Sequence, residues 1–422
     1  MKRREFLFST VGATISSGCH AQNVPSVGMK VEAKQEEVPV KTGLESLIAQ
    51  GFAPLKGKRV GLITNPTGIT RDYRANVDIL AKAVNLVALF GPEHGVRGDA
   101  GAGDSVGNAK DPATGLPVYS LYGKTNKPTA EMTRNLDTLI FDLQDIGSRS
   151  YTYISTMGLC LEAAAELGKE FIVLDRPNPL GGDRVEGNLA RPEFRSFVGR
   201  YPIPYAHGLT IGELAQMMNG EGWLKGKRKA NLTVIPLTGW RRNMNWSETG
   251  LPWVLTSPHI PHAETSFHYA ATGIMGEQPT LNIGVGYTLP FELAGAPGLS
   301  PHRFSTEMNR RNLKGVYFRP MSWVPFYAGY TGKNCGGVQT HFTNFREAEV
   351  TRLNFELMDA ARKLNPALNF FPKGRERMFD LVCGTDEVRK MFLAGKSSSE
   401  IWKKWNTESA DFRESRAKYL LY

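Results

Sequence analysis

Residues 85–95 read Asn-Leu-Val-Ala-Leu-Phe-Gly-Pro-Glu-His-Gly, and this stretch decides how the chain is read. An apolar run of strand length ends abruptly at Gly-Pro. The turn that follows carries an acid and an imidazole, Glu93 and His94. A short apolar run bounded by breakers is the pattern of a strand buried in a parallel sheet. In an open α/β sheet, ligands bind just beyond the carboxyl ends of such strands. An acid placed there is a candidate for chemistry. The competing reading is a turn acid that caps the next segment.

Outward from this stretch the first half alternates strands and helices. Strands are expected over 59–65, 86–90, 117–121, 138–143, 171–174 and 232–236. Helical spacing covers 75–83 and 153–167, and Thr210 with Glu213 forms a capping-box pattern that starts a helix over 209–219. Strands joined by helices of this length imply right-handed βαβ units and a parallel sheet covered on both faces. From about residue 266, Gly, Pro and aromatic residues are frequent and the alternation ends. A strand over 336–342, a helix over 347–362 and a helical C-terminus are expected there. The expected architecture is α/β, a Rossmann-like parallel-sheet domain over 43–265 and a smaller α+β domain over 266–422. The active-site cleft is expected between them, with 256–264 as hinge or interface.

The 422 residues are 41% hydrophobic, ample for a large core, and carry a formal charge of +10. The charged residues of the leader, Lys2, Arg3, Arg4 and Glu5, leave about +8 on the rest. No basic run with interleaved aromatics supports nucleic-acid binding. A mildly basic surface suits an acidic glycan. Residues 1–22 read as an export signal: a positive start with an Arg pair before Phe-Leu, then a short apolar stretch. Ser17-Gly18-Cys19 resembles a lipobox with Cys19 as the lipidated residue, although Ser16 stands where an aliphatic residue is usual. Residues 23–42 read as a tether. The expected location is the periplasm or cell envelope, with membrane attachment through Cys19. The remaining thiols, Cys160, Cys335 and Cys383, make no disulfide framework and no Cys-x-x-Cys zinc pair.

Polar groups recur at the strand ends: Asn65, Glu93 and His94, then Asp142, Gln144 and Asp145, then Asp175, Arg176 and Asn178. If the strands are parallel and adjacent, these groups line one crevice. The Gly-rich loop 95–107 lacks the dinucleotide and Walker spacings, so no nucleotide cofactor is expected. The loop is expected to lie over the site. His259, His262 and His268 with Glu264 lack metal-motif spacing, so no metal is expected and His259 reads as a sugar contact. Nucleophile-elbow chemistry is not expected either. Carboxyl chemistry remains, and glycoside hydrolysis needs an acid for the leaving oxygen plus a second carboxylate or a substrate group at the anomeric carbon. Glu93, in a Pro-flanked and partly apolar turn, is the candidate acid. Asp142 and Asp145 are candidate partners, and His94 with Asp142 is the alternative acid–base pair.

Several long motifs now converge. Residues 91–95, 142–153 (Asp-Leu-Gln-Asp-Ile-Gly-Ser-Arg-Ser-Tyr-Thr-Tyr), 174–182, 207–214, 256–261 and 282–292 resemble the exo-β-N-acetylmuramidase family, long grouped as a domain of unknown function. The likeness runs from about residue 43 to the C-terminus. It implies a cofactor-independent enzyme that removes terminal N-acetylmuramic acid from the non-reducing end of peptidoglycan fragments. It also implies a Rossmann-like domain, a smaller second domain and a site between them, and it maps the family's glutamate after Gly-Pro onto Glu93. The substrate's lactyl carboxylate needs a partner, and an Arg fork at Arg149 or Arg176 suits it geometrically. Tyr151, Tyr153, Tyr287 and Asn282 are further candidate sugar contacts. The rival reading is a non-catalytic glycan-binding lipoprotein of the envelope.

Overall fold

Seven strands pair into one sheet: β1 (Arg59–Thr64), β2 (Asn85–Gly91), β3 (Ala109–Lys110), β4 (Pro117–Ser120), β5 (Thr138–Asp142), β6 (Glu170–Leu174) and β7 (Asn231–Ile235). Their spatial order is β3-β4-β2-β1-β5-β6-β7. Only the short edge strand β3 is antiparallel to its neighbour. In the computed structural model residues 38–98 and 109–422 are described. The export signal, Cys19, the tether to residue 37 and residues 99–107 of the Gly-rich loop lie outside the described residues. Residues Val38–Tyr422 form one compact unit.

Strand alternation accounts for the two covered faces. Along β5, Leu139 and Phe141 join a core on one face while Ile140 joins a core on the other. Along β1, Val60 and Leu62 share the face of Ile140, and Ile63 the opposite one. The helix Asn76–Ala83 packs Val77 and Leu80 on the first of these faces. The helices Tyr153–Leu167 and Ile211–Gly220 cover the other, the second opened by the Thr210–Glu213 capping box. From β1 the chain proceeds to β2 and β4 on one side, and from β5 to β6 and β7 on the other. The order therefore reverses between β1 and β5, where Thr64 pairs with Asp142.

The second part holds β8 (Leu293–Ala296), β9 (Val316–Trp323) and β10 (Cys335–Phe342), an antiparallel sheet in the order β8-β10-β9. The helices Thr265–Gly276, Pro301–Arg310 and Arg352–Leu364 pack with it, followed by short helices to the C-terminus. Its apolar residues continue the core of the first part, from Phe171 and Met157 through Ile274 and Phe304 to Phe355 and Trp405. The chain is thus an α/β protein with a Rossmann-like parallel sheet and a smaller antiparallel-sheet domain. The sequence pattern does not show the helix Thr265–Gly276. Ten of its residues are buried, so no polar face imposes a period.

Candidate active site

The strand β2 ends in a tight turn. Gly95 donates its backbone N–H to Pro92 O at 3.0 Å, and Leu121 N–H ties Gly91 O at 2.8 Å. His94 has φ of +73°, a left-handed conformation that costs a non-glycine residue energy and is often kept at functional sites. The turn sets Glu93, half-buried, into a cavity of about 380 Å³. Thr152 Oγ1 donates to Glu93 Oε2 at 3.3 Å. Burial, then the nearby Glu93 charge, pushes the Tyr122 phenol above its ordinary pKa.

His94, Tyr151 and His259 line the same cavity, with Tyr269, Phe291 and Glu277 completing it from the second part of the chain. Tyr151, Tyr269 and Phe291 form a ladder of edge-to-face rings, with centroids 5.9 and 4.9 Å apart. The wall is fixed by hydroxyls. Tyr151 donates to Thr256 Oγ1 at 2.7 Å and Tyr153 to Thr256 O. Asn65 Nδ2 donates to the Tyr153 hydroxyl at 2.8 Å. Asn65 thus stands behind the cavity wall and positions Tyr153. His259 Nε2 meets the Tyr327 hydroxyl at 2.7 Å, and burial first, then His94, holds its imidazole below the usual pKa.

The other strand-end groups do not join this cavity. Asp142 is fully buried, and its oxygens bond Arg176 Nε at 2.6 Å and Asn76 Nδ2 at 2.7 Å. Both oxygens are spent at the β1/β5 crossover, so Asp142 is not the partner of Glu93 or of His94. Arg176 is spent there too, with its second bond to Ile69 O at 3.2 Å. Gln144 braces the same loops through Asp145 O and Pro177 O at 2.7 and 2.8 Å. Asn178 caps its own turn at Leu180 N and donates to Leu209 O. Asp145 accepts from Gly147 N at 2.6 Å, and burial pushes its carboxyl up to about 7. It too lies outside the cavity lining. His207 Nε2 stands 3.9 Å from Asp145. Burial lowers that imidazole to about 3, so the two form no ion pair.

Arg149 overturns the expected substrate fork most clearly. Its guanidinium, 1% exposed, donates to the backbone carbonyls of Asn188, Ile203, Val382 and Cys383. Only its Nε is left unpaired, and the whole group is buried outside the cavity lining. Asn282 braces its loop through Val285 O, Gly329 O and Trp323 Nε1. Tyr287 packs with Leu289 and Trp323 beside β10 and not in the cavity.

Sequence reading passed over Glu277, Tyr122 and Tyr269. Glu277 follows the helix Thr265–Gly276, and its carboxyl makes no hydrogen bond or ion pair among the described residues. Burial alone pushes it up to about 7. No motif marks it; its one signal is its place between a helix end and Pro279. Residues 103–107, Gly-Asp-Ser-Val-Gly, do have the letters of a nucleophile elbow. Such an elbow joins a strand to a helix at the serine. Residues 103–107 lie outside the described residues, and the next described element after them is the edge strand β3 rather than a helix. Another cavity, of about 420 Å³, is rich in charge, but Arg184, Arg242 and Arg346 there pair with Glu186, Glu213 and Glu248. Among the described residues no group of three or more His, Cys, Asp or Glu is placed to hold a metal.

Fold and site together define an α/β enzyme with two carboxyls and an aromatic wall in a cleft contributed by both parts of the chain. The family models for the N-terminal and C-terminal parts of the exo-β-N-acetylmuramidase NamZ match residues 60–264 and 267–422, and the chain belongs to this family of glycosidases. The Peptidoglycan beta-N-acetylmuramidase NamZ of Bacillus subtilis is 45% identical over 386 residues, 91% of either chain. Two crystal structures of DUF1343 family proteins of Bacteroides fragilis are similar along 91% of this chain and 99% of theirs. Their TM-scores are 0.87 and 0.74, at 48% and 34% identity.

Proposed function

We propose that the protein is an exo-acting glycosidase that removes terminal N-acetylmuramic acid from the non-reducing end of peptidoglycan fragments, with Glu93 as general acid. The observation that carries this reading is Glu93 itself, half-buried at the end of β2 in a cavity of sugar size with an aromatic wall. Glu93 gives its proton to the glycosidic oxygen as the bond from that oxygen to the anomeric carbon breaks. Water adds at that carbon and releases a proton, which restores Glu93 to its acid form. Thr152, bonded to Glu93, orients the carboxyl. The reading includes action in the cell envelope after export, with Cys19 as the point of lipid attachment.

The test is release of a chromogenic phenol from its β-N-acetylmuraminide and from the matching β-N-acetylglucosaminide. Turnover of the muraminide alone is expected. Glu93→Gln is expected to fold normally and lose turnover by about 10²–10⁴-fold, the usual contribution of a positioned acid. A variant at near-wild-type rate sinks the assignment. Binding of the muramyl sugar without turnover by the wild type favours the glycan-binding lipoprotein.

A further inference from the structure

N-Acetylmuramic acid is an anion, yet among the described residues the cavity lining contains no Lys or Arg. The two arginines nearest in the sequence pattern are spent: Arg149 on four backbone carbonyls, Arg176 on Asp142 and Ile69. Arg97, beyond the Glu93 turn, pairs with Asp111 and Asp78. The anion must therefore be met by neutral donors. Most of those are also committed. Tyr151 and Tyr153 donate to Thr256, Ser150 shares its hydroxyl with Tyr205 and Tyr269, Thr152 bonds Glu93, and His259 bonds Tyr327. Among the described residues of the lining, His94 Nδ1 and the Glu277 carboxyl remain without a protein partner; His94 Nδ1 is buried from the cavity, and Glu277 is the carboxyl left to face a ligand.

We propose that Glu277 reads the substrate's carboxylate as a neutral acid, donating its carboxyl proton in a hydrogen bond to the lactyl carboxylate of the terminal sugar. The proposal rests on the muramidase reading of this cavity. Two physical features keep Glu277 neutral. It is desolvated by the aromatic wall, and it stands at the C-terminal end of the helix Thr265–Gly276, where the backbone carbonyls disfavour a negative charge. Its ordinary value is raised to about 7 accordingly. A hydrogen bond from a neutral carboxyl to a carboxylate is short and strong. An ionised Glu277 would instead repel the anion, as two carboxylates sharing one site do. The pocket thus selects a carboxylate without a resident cation, and selection depends on a proton.

The sign follows from linkage. Below about pH 7 Glu277 already carries its proton, and affinity for the anion is level. Above it the proton must be taken up on binding, and affinity falls by about tenfold per pH unit. The groups that face or adjoin Glu277 are Tyr151, Tyr205, Tyr269, Cys383, Glu93, His94 and His259. The three phenols and the Cys383 thiol are pushed up by burial, clear of this range, and His259 is pushed down. His94 lines the same cavity and is tested by its own variant.

The experiment is calorimetric titration of free N-acetylmuramic acid and N-acetylglucosamine into the chain from about pH 5.5 to 8.5, in two buffers of different ionisation heat. The muramic acid is expected to lose affinity above about pH 7 with uptake of about one proton, and N-acetylglucosamine to show neither. Glu277→Gln is expected to keep binding and lose both the pH step and the proton uptake. A wild type without the step overturns the proposal, even if it hydrolyses the muraminide. A step retained in Glu277→Gln belongs to another group, His94, Glu93 or Asp145, and also overturns it. So does a Glu277→Gln that binds normally but turns over about 100-fold slower, which makes Glu277 catalytic. Should that variant not fold, His94→Asn decides: the step persists if Glu277 is the donor and vanishes if the imidazole is. Failure of the wild type to bind either sugar or cleave the muraminide removes the muramidase reading and this proposal with it.

Discussion

Asp145 shows how a single residue can be misread from its neighbours. It follows β5 closely, where a catalytic partner is expected, but it is buried outside the cavity lining and its hydrogen bonds are to the local backbone at Gly147 and Ile146. Its folded value of about 7 lies above the ordinary 3.8. The folded protein therefore holds a proton that the unfolded chain gives up. Stability from this group is full below the ordinary value and is lost as pH rises through about 7, with a slope of up to ~1.4 kcal/mol per pH unit. Asp145→Asn keeps the acceptor for Gly147 and cannot ionise. Its urea midpoint is expected to gain on that of the wild type between about pH 5 and pH 8. Parallel pH dependence in the two proteins would exclude a buried ionisation here. Asp175, raised to about 6 first by burial, acts in the same direction and is unchanged in the variant. His207 and His268, both lowered to about 3 by burial, act oppositely, losing stability as pH falls below their ordinary range.

The elements are legible in the sequence where one face or two faces of a sheet impose a period. All the strands expected in the first half are present, and the helix Tyr153–Leu167 has the expected bounds. Helix Tyr153–Leu167 also holds Gly158, which costs about 1 kcal/mol in helix propensity relative to Ala. Its packing explains the choice: a Cβ there would stand 1.7 Å from the Tyr201 hydroxyl, which is itself held by stacking of Tyr201 on Trp223 at 5.9 Å. Gly158→Ala is expected to destabilise by about 1–3 kcal/mol, because overpacking outweighs propensity. Thermal unfolding checks the sign, and an unchanged or higher midpoint would mean that Tyr201 moves freely. The helix Thr265–Gly276 and the strand β9 escaped the sequence reading for opposite reasons. The helix is buried nearly all round. The strand mixes buried and exposed residues irregularly around Pro320.

Across the whole molecule, Arg149 joins distant parts of the chain. It connects Asn188 and Ile203 in the first part to Val382 and Cys383 near the end. Burial lowers its guanidinium to about 10, which leaves it charged at neutral pH. Arg149→Met is expected to cost about 3–5 kcal/mol, since several buried carbonyls lose their donor. Arg149→Lys is expected to recover only part of this, as one ammonium cannot span the same fork. Chemical unfolding measures both, and a Met variant of wild-type stability would refute the role. The C-terminus makes a similar closure, with the Tyr422 hydroxyl 2.7 Å from Asp175 Oδ2 at the end of β6.

The local pattern of the sequence determined the parallel sheet, the turn at Glu93 and the family motifs. Burial on a sheet imposes short apolar runs, and a turn between strand and helix demands Gly and Pro at fixed offsets. Only the tertiary structure decided which strand-end polar groups face the cavity. Asp142 and Arg176 satisfy each other, and Arg149 is consumed by carbonyls that lie 39 to 234 residues away. Glu277 became visible only when a buried helix brought it across the cleft from Glu93. Hydrogen-bond saturation and desolvation are properties of neighbours in space, and the spacing of residues along a chain does not encode them.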